Sequence, residues 1–238
     1  QQLLEALRHL HSKGLAHCDI KALNIVRLAR DNRVRLIDLD AGAPIVDEDD
    51  ESWPSFAGAK FSSAVLPPEM LCKLDDAGVA KFEKYWATEC ASDPELWRKI
   101  APKSSSRGSF VVRTFRAGED YKPIDSELLP YELVEASAAI DVWSVGCLLY
   151  LLCAGKPLVA STRDDDFESG TAMSFVATWD DAKCERKLQD VPDVSARDLL
   201  QKLLRFEPRL RLTVKDALEH PFFHPKSDDS TVLANLNT

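Results

Sequence analysis

The chain has 238 residues, of which 45% are hydrophobic and 29% charged. This is the composition of a globular protein, and it excludes a fibrous, collagen-like or wholly disordered chain. With 30 basic against 39 acidic residues the net charge is −9, which argues against nucleic acid as a partner, because a phosphate backbone calls for a basic footprint.

Residues 1 to 13 read as an amphipathic helix, with Leu3, Leu7 and Leu10 at helical spacing and Gly14 at its end. No capping residue precedes the helix, so the sequence is expected to begin inside a helix and to be a fragment. Glu5, Arg8 and His9 make this segment unlike a signal peptide. Two short β-like runs follow, Asn24 to Leu28 and Arg33 to Leu39, around the turn-prone Asp31-Asn32. Next come a loop with the acidic run 47–51, read as solvated and mobile, and the double proline Pro67-Pro68.

From about 71 to 128 the signal weakens. Val79 to Trp86 reads as helical and Ser104 to Ser109 as a flexible loop. From Glu132 onward the pattern is helical: a run at 142–154 read as buried on all sides, a helix at Ala196 to Leu204, and another at Val214 to Glu219. A polar tail closes the chain from about Lys226. The longest apolar run, Val142 to Ala154, is shorter than the roughly 20 residues a membrane helix needs. Cys18, Cys72, Cys90, Cys147, Cys153 and Cys184 form no Cys-x-x-Cys pair and are expected to be reduced thiols of an intracellular, cytoplasmic protein.

The chemistry is concentrated in His17-Cys18-Asp19-Ile20-Lys21-Ala22-Leu23-Asn24, between the first helix and the first strand. An Asp, a Lys two residues on and an Asn five residues on resembles the catalytic loop of a protein kinase. Asp38-Leu39-Asp40 stands at the end of the second strand. Leu66-Pro67-Pro68-Glu69 resembles the closure of a kinase activation segment, and Asp141-Val142-Trp143-Ser144-Val145-Gly146 the start of the central kinase helix. Glu207 to Arg211 and His220 to Phe223 look like the closing helices. The chain thus resembles the C-terminal lobe of a eukaryotic serine/threonine-type protein kinase over residues 1–225. The fold implied is mainly α with a small β element, the N-terminal lobe missing, an insert at about 71–128, and a tail at 226–238.

The resemblance implies transfer of the ATP γ-phosphoryl group to a Ser or Thr of a protein substrate, with ATP and Mg²⁺ as cofactors. Asp19 would orient the substrate hydroxyl and accept its proton. Lys21 would place a cation near the γ-phosphate. Asn24 and Asp38 would supply hard oxygen ligands for magnesium. His17, Leu39, Glu69, Asp141 and Arg211 are expected to be structural. Asp141 either caps its helix or accepts N–H groups of the loop. Glu69 is expected to pair with Arg211, with Glu132 of Leu129-Pro130-Tyr131-Glu132 as the alternative partner. Ser62 stands where such kinases often keep a hydroxyl bridging the catalytic Asp and Lys, although the bland reading of a loop serine is a solvated turn.

Three departures bear on activity. Cys18 replaces an arginine that binds activation-loop phosphate. Leu39 replaces the phenylalanine of Asp-Phe-Gly, where it can fill the same apolar slot. Asp40 replaces the glycine, adding charge and removing backbone freedom. The alternative function is therefore a pseudokinase that acts as a scaffolding or binding module. No glycine-rich loop or strand lysine is found, so an N-terminal lobe is expected upstream.

Overall fold

A computed structural model describes residues 1–45, 55–118 and 122–224. The acidic run and the C-terminal tail lie outside the described residues. Helix α1 (Gln2–His11) forms because Leu4 and Leu7 share a face and are both buried, and the chain turns back at Gly14 into strand β1 (Leu15–Ala16). Strands β2 (Ile25–Leu28) and β3 (Arg33–Leu36) make an antiparallel hairpin with Ile25 opposite Leu36. Asp31 accepts the Arg33 N–H at 3.0 Å to tighten its turn. β3 ends at Leu36, short of the expected Leu39, so Asp38 falls on the loop that follows. β4 (Ala43–Pro44) pairs with β1, which clamps the two ends of the intervening loop-and-hairpin segment together.

Strand β5 (Phe56–Ala57) leads through the double proline into strand β6 (Leu71–Leu74) and the segment expected to be an insert. Helix α2 (Asp76–Ser92) is twice the length suggested by its sequence, and its first turn is capped by Asp75. Helix α3 (Pro94–Ile100) starts at Pro94 with Asp93 accepting the N–H groups of Glu95 and Leu96. Strands β7 (Lys103–Ser105) and β8 (Gly108–Val112) follow, and the sheet order is β6–β8–β7, all antiparallel. The serine-rich stretch at 104–109 is therefore a hairpin, not a flexible loop. Its composition reads as a linker, but pairing with β6 and α5 packing against the sheet supply the order. Phe82 lies among Trp86, Trp97 and Tyr131 at centroid separations of 6.3–6.4 Å, and its burial alone contributes about 1.5–3 kcal/mol.

Strand β9 (Val134–Glu135) pairs with β5, a strand inside a stretch read as helical. Then come helices α4 (Ala138–Ala154), α5 (Gly170–Ala177), α6 (Asp181–Leu188), α7 (Val194–Leu203) and α8 (Val214–Leu218). Pro208–Leu210 and Pro221–Phe223 are single turns of 3-10 helix. α4 is enclosed without a break over Ile140 to Cys147; beyond that Tyr150 is buried but Leu152 is 73% exposed. The expectation of a helix buried on all sides holds for its first half, where α7 packs closely because Gly146 has no Cβ to meet Leu204. No helix among the described residues is long and apolar enough to cross a membrane.

Two cores result. Leu4, Leu7, Ile20, Val142, Val145, Leu199 and Leu203 form one between α1, α4 and α7. The other runs from Ala16 and Cys18 through Trp143 and Tyr150 to Phe82, Trp86, Phe110 and Val111, so the 71–128 segment shares the core of the surrounding lobe. α5 touches this segment so closely that a Cβ on Gly170 would land on the Ser104 carbonyl oxygen. Backbone cannot yield cheaply there, so Gly170→Ala is expected to cost about 1–3 kcal/mol. An unchanged midpoint in chemical denaturation would show that the contact is slack.

Candidate active site

The His17–Asn24 loop leaves β1 and returns into β2, and a single carboxylate holds its start. Asp141, fully buried in the first turn of α4, accepts the His17 N–H on Oδ2 and the Cys18 N–H on Oδ1, both at 2.8 Å. His11 Nε2 lies 2.8 Å from the same Oδ2. Ser137, not Asp141, occupies the N-cap position, so of the two roles read from sequence only loop support is realised. A buried carboxylate is tolerated here because polar hydrogens surround it. His11 was missed in the sequence; the available signal was its place one turn beyond Leu7 on the buried face of α1. Cys18 has a left-handed φ of +61°, a conformation held by the Asp141 bond. Its buried thiol is pushed well above the ordinary range, first by desolvation and then by Asp141. His17 is buried, with its ring 3.1 Å from the Ile37 carbonyl, and so ties the loop to the segment that carries Asp38.

Beyond Cys18 the polar side chains converge. Lys21 Nζ lies 3.0 Å from Asp19 Oδ2 and donates to Ser62 Oγ at 2.7 Å. Ser62 is 1% exposed, which rules out a solvated turn residue. Asn24 donates its amide to the Asp19 carbonyl at 2.9 Å and to Asp19 Oδ2 at 3.1 Å, leaving its own Oδ1 as the atom able to face a metal. Asp19 Oδ1 is buried without a hydrogen-bond partner among the described residues. Asp19, Lys21 and Asp38 line one cavity of about 270 Å³, whereas Asn24 stands behind Asp19 rather than on the wall. Asp38 is exposed, with φ +65°. No three His, Cys, Asp or Glu side chains form a metal cage among the described residues. The oxygens of Asp38 and Asn24 nevertheless suit magnesium, which needs few protein ligands when phosphates complete its shell. On the other side of Lys21, burial raises the Asp165 carboxyl, opposed by the pull of Lys21.

Two further expectations resolve differently. Arg211 makes a two-pronged bridge to Glu69 at 2.6 and 2.7 Å, donates to the carbonyls of Ala139, Arg205 and Phe206, and lies over Trp143. Glu132 is not its partner: the Glu132 carbonyl instead accepts from Arg113. Leu39, expected to fill an apolar slot, is 50% exposed, because no described element packs over the end of the Asp38 loop. Asp40 pairs with Lys60 at 2.6 Å.

The sequence is similar to those of known proteins. The model of the protein kinase domain matches residues 100–223, from the end of α3 to the last turn, and the chain belongs to that family. A probable serine/threonine-protein kinase, fhkD of Dictyostelium discoideum, is 25% identical over 246 residues, covering 99% of this chain and 24% of that protein. The serine/threonine-protein kinase ksg1 of Schizosaccharomyces pombe is 30% identical over 174 residues, covering 73% of this chain and 26% of its own length. The serine/threonine-protein kinase RAD53 of Saccharomyces cerevisiae is 26% identical over 227 residues, covering 93% and 20%. The chain thus spans about a quarter or less of these relatives.

Removing one partner of the Glu69–Arg211 bridge strands a buried charge, so Glu69→Ala is expected to cost about 3–5 kcal/mol in denaturant unfolding. A second outcome concerns the thiols. Burial pushes Cys147 and Cys184 up to about 12, so at pH 8 the native protein should leave both unalkylated by iodoacetamide while denatured protein reacts fully. The neutral thiols favour the folded state; that contribution is complete below roughly pH 8.5 and is lost as pH climbs toward the folded values. Mass spectrometry of the alkylated peptides checks it.

Proposed function

We propose that this chain is the C-terminal lobe of a serine/threonine-type protein kinase, residues 1–225 with the 71–128 segment inside it, acting on a protein hydroxyl with Mg-ATP. The observation that carries the proposal is that Asp19, Lys21 and Asp38 line one cavity, with Asn24 and Ser62 bonded to Asp19 and Lys21 from behind its wall. The serine/threonine assignment draws on the Lys21–Ser62 bond and on the names of the relatives.

Phosphoryl transfer asks the protein mainly for alignment and charge neutralisation. Asp19 would receive the substrate hydroxyl hydrogen, its carboxylate held in place by Lys21 and Asn24. Lys21, shared between Asp19 and Ser62, would offer its ammonium to the moving phosphoryl group. Asn24 Oδ1 and the Asp38 carboxylate are the ligands proposed for magnesium, with the nucleotide's phosphates completing the shell. Magnesium, when bound, neutralises charge on those phosphates. Glycine-rich loop and strand lysine would come from an N-terminal lobe. The free cysteines fit the proposed cytoplasmic setting, and the net charge of −9 argues against nucleic acid as a partner.

A pseudokinase is the other reading. Asp40 motivates it, but the contact with Lys60 offsets the charge Asp40 adds beside the cavity. Labelled-ATP transfer to a generic protein substrate by full-length protein separates the two. Asp19→Asn should lower transfer about 10²–10⁴-fold and Asp38→Ala should abolish detectable label. Equal label from wild type and both variants would sink the kinase reading.

A further inference from the structure

The cavity in front of Asp19 has two walls. One is built from the Asp19 loop, the Asp38 loop and residues 59–61. The other comes from the 71–128 segment: Trp86 of α2, Leu96, Lys99 and Ile100 of α3, and Thr114 beyond β8. Trp86 and Ile100 are 4% and 3% exposed, so this wall is anchored in the core. Its position is set by packing, and a substrate reaching Asp19 must pass beside it.

Lys99 is the cation this wall presents. Its ammonium lies 5.1 Å from the Phe61 ring centroid, next in the chain to the Ser62 that binds Lys21. Its nearest anion is Asp166 Oδ2 at 3.8 Å, beyond hydrogen-bond length. The other oxygen of Asp166, Oδ1, accepts the N–H and hydroxyl of Ser63 at 2.9 Å each. Lys21, by contrast, is bound directly to Asp19 and Ser62, and Lys60 to Asp40. With a side chain 37% exposed, Lys99 retains reach into the cavity and hydrogen-bond donors uncommitted among the described residues.

We propose that the α2–α3 wall is part of the substrate cleft and that Lys99 selects protein substrates carrying an anionic side chain beside the acceptor hydroxyl. The inference rests on the kinase reading above. Carboxylate and phosphate share the required chemistry: both are acceptors for a charge-assisted bond from the ammonium. Lys99 acts on selection, through attraction of the matching charge and repulsion of the opposite one.

The test measures binding apart from transfer. Full-length protein is titrated with fluorescently labelled serine peptides whose flanking residues are glutamate, phosphoserine, alanine or lysine, and anisotropy gives Kd. Glutamate or phosphoserine peptides should bind roughly fivefold or more tightly than alanine ones, with the advantage shrinking in high salt. Lys99→Met should erase that ranking and Lys99→Glu should invert it in favour of lysine peptides. A response in the phosphoserine arm alone assigns phosphate as the recognised group; a response in both assigns any anion. Wild-type melting temperature in Lys99→Met excludes a folding defect. Equal affinity across the four peptides, or a ranking unchanged in Lys99→Met, overturns the inference. Should the expected ranking appear while labelled ATP transfers nothing, the kinase reading fails and the anion selection stands.

Discussion

A buried carboxylate with three polar hydrogen contacts organises this molecule. Asp141 is on α4, the helix that passes through the middle of both cores, and the groups it holds are on the loop that carries Asp19. Its bonds to two successive backbone N–H groups transmit the position of the best-packed helix to the least regular segment. This also accounts for the left-handed backbone at Cys18, which an unsupported loop would not keep. The Arg211–Glu69 bridge repeats the device on the other flank, where it fastens the double-proline turn to the chain beyond α7. Burial makes both interactions costly to break and so makes the arrangement specific.

The 71–128 segment changes the usual meaning of an insertion. A surface decoration would carry its own small core or none. Here Phe82, Trp86, Phe110 and Val111 pack in the same cluster as Ala16, Cys18 and Trp143, and Gly170 lets α5 lie directly on the β7 strand. The segment and the surrounding helices therefore fold against one another, and the cavity wall the segment supplies is anchored in that shared core. That anchoring holds Lys99, a half-buried cation, on the wall of the cavity that Asp19 also lines.

Departures from the kinase pattern prove to be locally compensated. Cys18 gives up a charged side chain and becomes a small core residue. Asp40 is met by Lys60. Leu39, in contrast, is not compensated among the described residues: its apolar side chain remains half in solvent, as does that of Ile37.

The sequence by itself determined the motifs and their local chemistry. The spacing of Asp19, Lys21 and Asn24, the β2–β3 hairpin around Asp31-Asn32, and the apolar run of α4 are short-range features, governed by neighbours a few residues away. Tertiary structure decided what depended on partners distant in the chain. The order of the Ser104–Ser109 hairpin came from β6 and α5, not from its own linker-like composition. Only packing could choose Glu69 over Glu132 for Arg211, turn Asp141 toward the loop rather than toward its own helix end, bury Ser62 against Lys21, and stand α2 and α3 beside Asp19. Local pattern reports what each residue can do, whereas a contact between residues separated by tens of positions exists only once the core has brought them together.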